Sequence, residues 1–174
     1  MTRMTVDRDV LPVALLALAK SQMRVEHNRD DVLITEQLRA AIVGVERRCS
    51  ININPAQFAF EGCDITATGR LPVNNVSAIV SLFSGGVDVS SNYGIKQDEL
   101  GGNAHAYLVG PTLNSNDAVL VVDVGMQTVD AIDPAITSAV LRITAAYYEN
   151  RETFAPVFVD DFLGELIAIW RPAV

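Results

Sequence analysis

The apolar residues of this chain change their spacing twice, and that change constrains the fold more than any other feature. Up to about residue 49 they recur at helical intervals. From 50 to 124 the period is nearer two, with frequent turn residues, and from 130 onward the helical interval returns. The pattern gives an α+β fold: two N-terminal helices, a central antiparallel β section, and C-terminal helices. Antiparallel pairing follows because the connections within 57–124 are too short to hold crossover helices. A length of 174 residues suits one domain, 1–174, with 57–124 as a β-rich insertion.

The strongest helix lies in residues 130–151, DAIDPAITSAVLRITAAYYENR. Pro134 fits its first turn, where a missing N–H costs little, and Asp133 is placed to cap it. Ile136, Val140, Ile143 and Tyr147 recur on one side, thinned by Ala139 and Ala146. Tyr147 and Tyr148 point in different directions, so at least one is expected to meet something other than its own chain's core.

A first helix is expected from a cap at Asp9 to about Arg24, with Pro12 tolerated in its opening turn. Leu11, Leu15, Leu18 and Gln22 mark one edge of its apolar side, widened by Leu16, Ala19 and Met23. Arg3 and Arg8 ahead of this run give it the outline of a signal peptide. Pro12, the following Lys20 and Arg24, and the lack of an Ala-x-Ala site favour a helix instead. Asp30 or Asp31 then caps a second helix to about Cys49, striped by Ile34, Leu38, Ala41, Ile42 and Val45. Arg39, Arg47 and Arg48 sit off that stripe, on a solvated face or against an acidic partner.

In the β section, strands are expected at 57–60, 73–83, 105–109 and 118–124, with an exposed loop or ragged hairpin over 84–103. Val76, Ala78, Val80 and Leu82 alternate with Ser77, Ile79, Ser81 and Phe83. Both registers hold apolar residues, so this strand is expected to be partly covered on both sides. A last helix is expected from Asp160 or Asp161 to Trp170, ended by Pro172.

Charge narrows the function classes. The net charge is −8, and residues 57–130 hold two basic residues against eight acids. Such a surface does not capture a nucleic-acid backbone, which needs Lys and Arg to displace counterions. It suits a passage through which DNA moves without sticking, and equally the ordinary solubility of an acidic protein. No stretch approaches the roughly 20 apolar residues that span a bilayer. The apolar fraction of 49% leaves more hydrophobic surface than a small domain easily hides, which points to self-association.

Chemistry is hard to find. No phosphate-binding GxxxxGK[ST] loop, dinucleotide GxGxxG turn or nucleophile-elbow GxSxG occurs. His27 and His105 belong to no HExxH, and Cys49 and Cys63 read as two buried thiols rather than ligands or a disulfide. Asp30-Asp31 and Asp160-Asp161 are explained as helix caps and Asp98-Glu99 as a solvated loop, so adjacency alone makes no acid–base pair. No metal, cofactor or catalytic residue is assigned.

Residues 132–152, IDPAITSAVLRITAAYYENRE, resemble a stretch of the head–tail connector (DNA-packaging adaptor) proteins of long-tailed bacteriophages and their prophage remnants. The shared elements are a helix-starting proline, an Ala-rich apolar helix, a paired aromatic and then ENRE. Residues 11–49 are similar to that family's first helical pair, joined by an acidic loop. Arg70-Leu71-Pro72-Val73, with Val76 and Ile79, is similar to the beginning of its central strands. Val121-Val122-Asp123-Val124-Gly125-Met126-Gln127 departs from a Tyr-Thr-x-Gly-Tyr-like passage that members often carry before the long helix.

The resemblance implies a structural adaptor in the phage neck, with no bond-making step. Copies would form a ring, commonly a dodecamer, between the portal protein and a downstream head-closure or tail-completion protein. Double-stranded DNA would pass through its opening without sequence recognition. The implied location is the virion neck, and the host cytoplasm during assembly; no membrane is involved. Tyr148, Arg151 and Glu152 are candidates for subunit contact, Phe162, Leu166 and Trp170 for portal docking, and Asp98 and Glu99 for facing the channel. Rival readings are another neck or tail-completion protein, a module binding a protein along an exposed β edge, and a hydrolase whose polar residues meet only in the fold.

Overall fold

A computed structural model describes residues 2–6, 10–49, 51–62, 69–97, 105–113, 117–126 and 128–150. In chain order its elements are β1 (Thr2–Val6), α1 (Val10–Met23), α2 (Asp31–Cys49), β2 (Ala56–Glu61), β3 (Arg70–Asn74) and β4 (Val76–Ser84). They continue with β5 (Val87–Asp88), β6 (Gly94–Gln97), β7 (His105–Val109), β8 (Val119–Val124) and α3 (Pro134–Glu149). The fold is α+β, and every strand pair is antiparallel. The expected helix over 160–170 lies outside the described residues, as does Cys63.

The chain forms two compact units. One comprises Met1–Asp7 and Ile51–Met126, the other Arg8–Ser50 and Gln127–Val174. The strand-bearing unit therefore takes in β1, a strand the sequence reading missed; it pairs with β2 at the edge of a sheet.

In the strand-bearing unit, one sheet has the order β1-β2-β8-β4-β5 and the other β3-β7-β6. Phe58, Phe60, Leu82, Leu120, Val122 and Val124 from the first share one core with Leu71, Val73 and Ala106 from the second. Each fully buried large side chain there stabilises the fold by about 1.5–3 kcal/mol. Gln97 ties the sheets by donating from Nε2 to the Val76 carbonyl at 2.6 Å.

The single strand expected over 73–83 is two strands in different sheets. Asn75 separates them in the left-handed region, at φ 55°. Its side-chain Nδ2 donates to the Asn52 carbonyl at 3.0 Å, and its own carbonyl accepts from the Gly125 N–H at 2.9 Å. Asn tolerates this conformation better than most residues. Beyond it, β4 slips register against β8 between Val76 and Ala78 and again between Ile79 and Ser81. Each slip inserts one extra residue, so the expected alternation breaks: Val76 and Leu82 are buried while Ala78 and Val80 are exposed. The segment expected as a loop or ragged hairpin contains β5, a turn of 3-10 helix over Ser90–Asn92, and β6.

In the helical unit, α2 packs on both α1 and α3. Leu11, Leu15 and Ala19 of α1, Ile34, Leu38, Ala41, Ile42 and Val45 of α2, and Ile136, Ala139, Val140 and Ile143 of α3 are buried. The α2 and α3 stripes are those the 3.6-residue spacing marks. α3 begins as expected: Asp133 caps it by accepting from the Ala135 N–H at 2.7 Å, with Pro134 in the first turn. Asn150 closes it, its backbone N–H and side-chain Nδ2 both donating to the Ala146 carbonyl.

α1 ends on a residue of the wrong shape. Arg24 holds φ 57°, where glycine is usual, while the Val25 N–H reaches the Lys20 carbonyl at 2.9 Å and the Arg24 N–H reaches Ser21 at 3.2 Å. This bond pair is the Schellman closure of a helix. The turn is stapled by Lys20, whose ammonium donates to Asn28 Oδ1 at 2.7 Å and to Asp31 Oδ1 at 2.6 Å.

Candidate functional site

The polar residues singled out in the sequence are largely taken up by the scaffold. Asp31 is held by Lys20, and the Asp30 carboxylate accepts a hydrogen bond from the Tyr148 hydroxyl. The first acidic pair is thus divided between two separate structural contacts. Arg39 pairs with Glu36 one helical turn away. Cys49 is a free, buried thiol, and burial pushes its pKa up, the opposite of what a nucleophile needs. His27 is exposed. Among the described residues, no group of three His, Cys, Asp or Glu side chains gathers as a metal site, and no helix is long and apolar enough to cross a membrane.

Of the candidate contact residues, Tyr148 is half-buried near the end of α3 and bonded to Asp30 within the helical unit. Its neighbour Tyr147 is also half-buried. Arg151, Glu152, Phe162, Leu166, Trp170, Asp98 and Glu99 lie outside the described residues.

What stands out is apolar surface. α1 has no polar side from Val10 to Ala19, yet only one flank of it is buried. Its outer flank presents Val10, Val13, Ala14, Ala17 and Leu18 to solvent, with Val13 62% and Leu18 47% exposed. Leu18 therefore does not belong to the buried edge that the spacing assigned to it. The angle explains this: Leu11, Leu15 and Ala19 span the buried arc, and Leu18 stands one step outside it. At the first turn of α2, Val32 and Leu33 add to the exposed apolar surface.

A second patch lies on the strand-bearing unit. Phe83 of β4 and Val119 of β8 are direct cross-strand partners, and both are 41% exposed. Val87, opposite Ser84 across the tight turn to β5, is 63% exposed but points to the other face of the sheet, since successive residues of a strand alternate sides. Asp88, opposite Phe83, and Glu61, opposite Val119, stand beside this patch. Ser90 donates to the Asp88 carboxylate from its backbone N–H and its hydroxyl, which holds the Asp88 pKa below its ordinary value. The sequence signal for the patch was the presence of apolar residues in both registers of 76–83; it was read as partial cover on both sides.

Two compact units, one of strands and one of helices, joined through a chain that leaves the helices after α2 and returns before α3, define the fold class. Solved chains with the same fold include three from gene transfer agent particles. A chain from the neck of an empty gene transfer agent (GTA) particle, computed with C6 symmetry, matches with a TM-score of 0.72 and 20% identity over 100% of this chain and 97% of that one. One from the virion of the native GTA particle gives 0.70 and 19%, over 98% and 97%. One from the neck of the native GTA particle, computed with C12 symmetry, gives 0.69 and 19%, over 100% and 97%. No protein-family model matches the sequence. The comparison with curated proteins gives no match either.

Proposed function

We propose that this protein is a structural head–tail adaptor in the neck of a phage-like particle. The observation that carries the reading is the match of nearly the whole chain to nearly the whole of chains from GTA necks. The resemblance of residues 132–152 to the connector family supports the same reading. Copies close a ring of twelve between the portal protein and a downstream head-closure or tail-completion protein. The subunit does no chemistry; it matches surfaces and continues the channel. An overall charge of −8 suits passage of double-stranded DNA without adsorption. The protein works in the virion neck after assembling in the host cytoplasm.

Within this reading, Tyr148, Arg151 and Glu152 contribute to contacts between copies. Phe162, Leu166 and Trp170 dock on the portal, and Asp98 and Glu99 face the channel. Native mass measurement across concentration, alone and with the cognate portal, tests the proposal. A ring, formed alone or on the portal, is the expected result. A chain that stays monomeric and ignores the portal overturns it.

A further inference from the structure

The outer flank of α1 is the most anomalous surface of the helical unit. A helix segment that is apolar all round belongs in an interior, yet this one exposes a flank about 15 Å long with no charge from Val10 to Ala19. The exposed Phe83–Val119 cross-strand pair is the corresponding feature of the strand-bearing unit. A ring is closed by heterologous contacts, in which one face of a copy meets a different face of the next. Two unlike apolar patches on one chain are what such a contact requires.

Resting on the neck-ring reading above, we infer that α1 is the docking helix between copies: the Val10–Val13–Ala14–Ala17–Leu18 flank of one copy covers the Phe83–Val119 pair of the next. The apolar centres exclude water, and the charges at their margins are opposite. Arg24 is exposed at the C-terminal end of α1, and Asp88 and Glu61 are exposed beside Phe83 and Val119. A polar rim around an apolar centre is the ordinary anatomy of a protein interface.

The test uses the full chain with two substitutions, Val13→Lys and Phe83→Lys. Both sites are already exposed, and a lysine at 83 faces Asp88 across the strand pair, so circular dichroism and the melting temperature should stay close to the parent's. Self-association is read by sedimentation and native mass, with and without portal. The parent should form rings, and each variant alone should associate at least tenfold more weakly. Mixed one to one, the variants should form two-chain species that grow no further, because only one of the two possible contacts is intact.

Rings from Val13→Lys as stable as the parent's, or a mixture that stays monomeric, would overturn the docking assignment while leaving the adaptor reading in place. So would a Val13→Lys ring that forms normally but loses only its portal affinity, which would give α1 to the portal. A parent that never associates, even with portal, would remove both.

Discussion

The Tyr148 hydroxyl donates a hydrogen bond to the Asp30 carboxylate, joining the last turn of α3 to the start of α2 across 118 residues of sequence. The same corner is held by Lys20, which bonds Asp31 and Asn28. The ends of all three helices are therefore fixed at one place by charged hydrogen bonds rather than by apolar packing alone.

Replacing Tyr148 by Phe leaves the ring and removes the donor. A hydrogen bond to a charged group contributes about 1.5–3 kcal/mol, and partial exposure lowers that to about 1 kcal/mol here. The Tyr148→Phe chain should unfold at correspondingly lower denaturant, and the same change should cost less when Asp30→Asn is already present. Equal and additive losses in this double-mutant cycle would show that the two groups do not act as a pair.

Gly125 should resist substitution. It holds φ 86°, its N–H bonds the Asn75 carbonyl, and an added Cβ would overlap the Asn54 carbonyl. Both the backbone conformation and the close approach oppose a side chain, so Gly125→Ala should destabilise the strand-bearing unit by at least about 2 kcal/mol. A melting temperature equal to the parent's would contradict this.

Arg24 offers the reverse case. Its left-handed backbone carries a Cβ penalty that glycine lacks, while the Schellman bonds are made by main-chain atoms. Arg24→Gly should therefore stabilise the helical unit by about 0.5–1 kcal/mol, after allowing for the greater freedom of glycine in the unfolded chain. If the arginine is also part of the rim between copies, the same change should weaken self-association while raising thermal stability.

These positions mark what the sequence makes legible. The start of α3 is legible because Asp133 and Pro134 act on main-chain atoms within two residues of themselves, whereas the closure at Asn150 comes from the structure alone. The stripes of α2 and α3 were readable because polar residues interrupt them at the helical period. α1 has no such interruption, so spacing could not say which flank faces inward, and Leu18 was put on the wrong one. The break at Asn75 was hidden because its partners, Asn52 and Gly125, are distant in sequence. β1 was missed for a similar reason: a five-residue strand acquires its meaning only from pairing with β2.

The candidate site divides along the same line. That apolar surface would remain exposed followed from composition, but its location did not. Exposure of Phe83 and Val119 depends on a register that slips twice, which no local spacing records. The acidic pair Asp30-Asp31 stands at the start of α2 as capping predicts, but that its carboxylates also hold Tyr148 and Lys20, residues on two other helices, is not visible in local spacing.

Asp88 supplies a prediction in pH. The Ser90 hydroxyl and N–H favour its ionised form, so its native pKa lies below the ordinary value of 3.8. The unfolded chain then binds the proton more readily than the folded one, and stability contributed by this group rises with pH through the interval between the two values. The contribution is complete above about pH 3.8 and is lost as the pH falls through the lower native value. Ser90 also accepts from the Leu82 N–H through its hydroxyl at 2.7 Å, so protonating Asp88 loosens the turn that presents Phe83 and Val87. Ser90→Ala should return the Asp88 pKa toward the ordinary carboxylate value, as followed by carboxyl NMR titration. An unchanged titration in that variant would show that something other than Ser90 holds the carboxylate ionised.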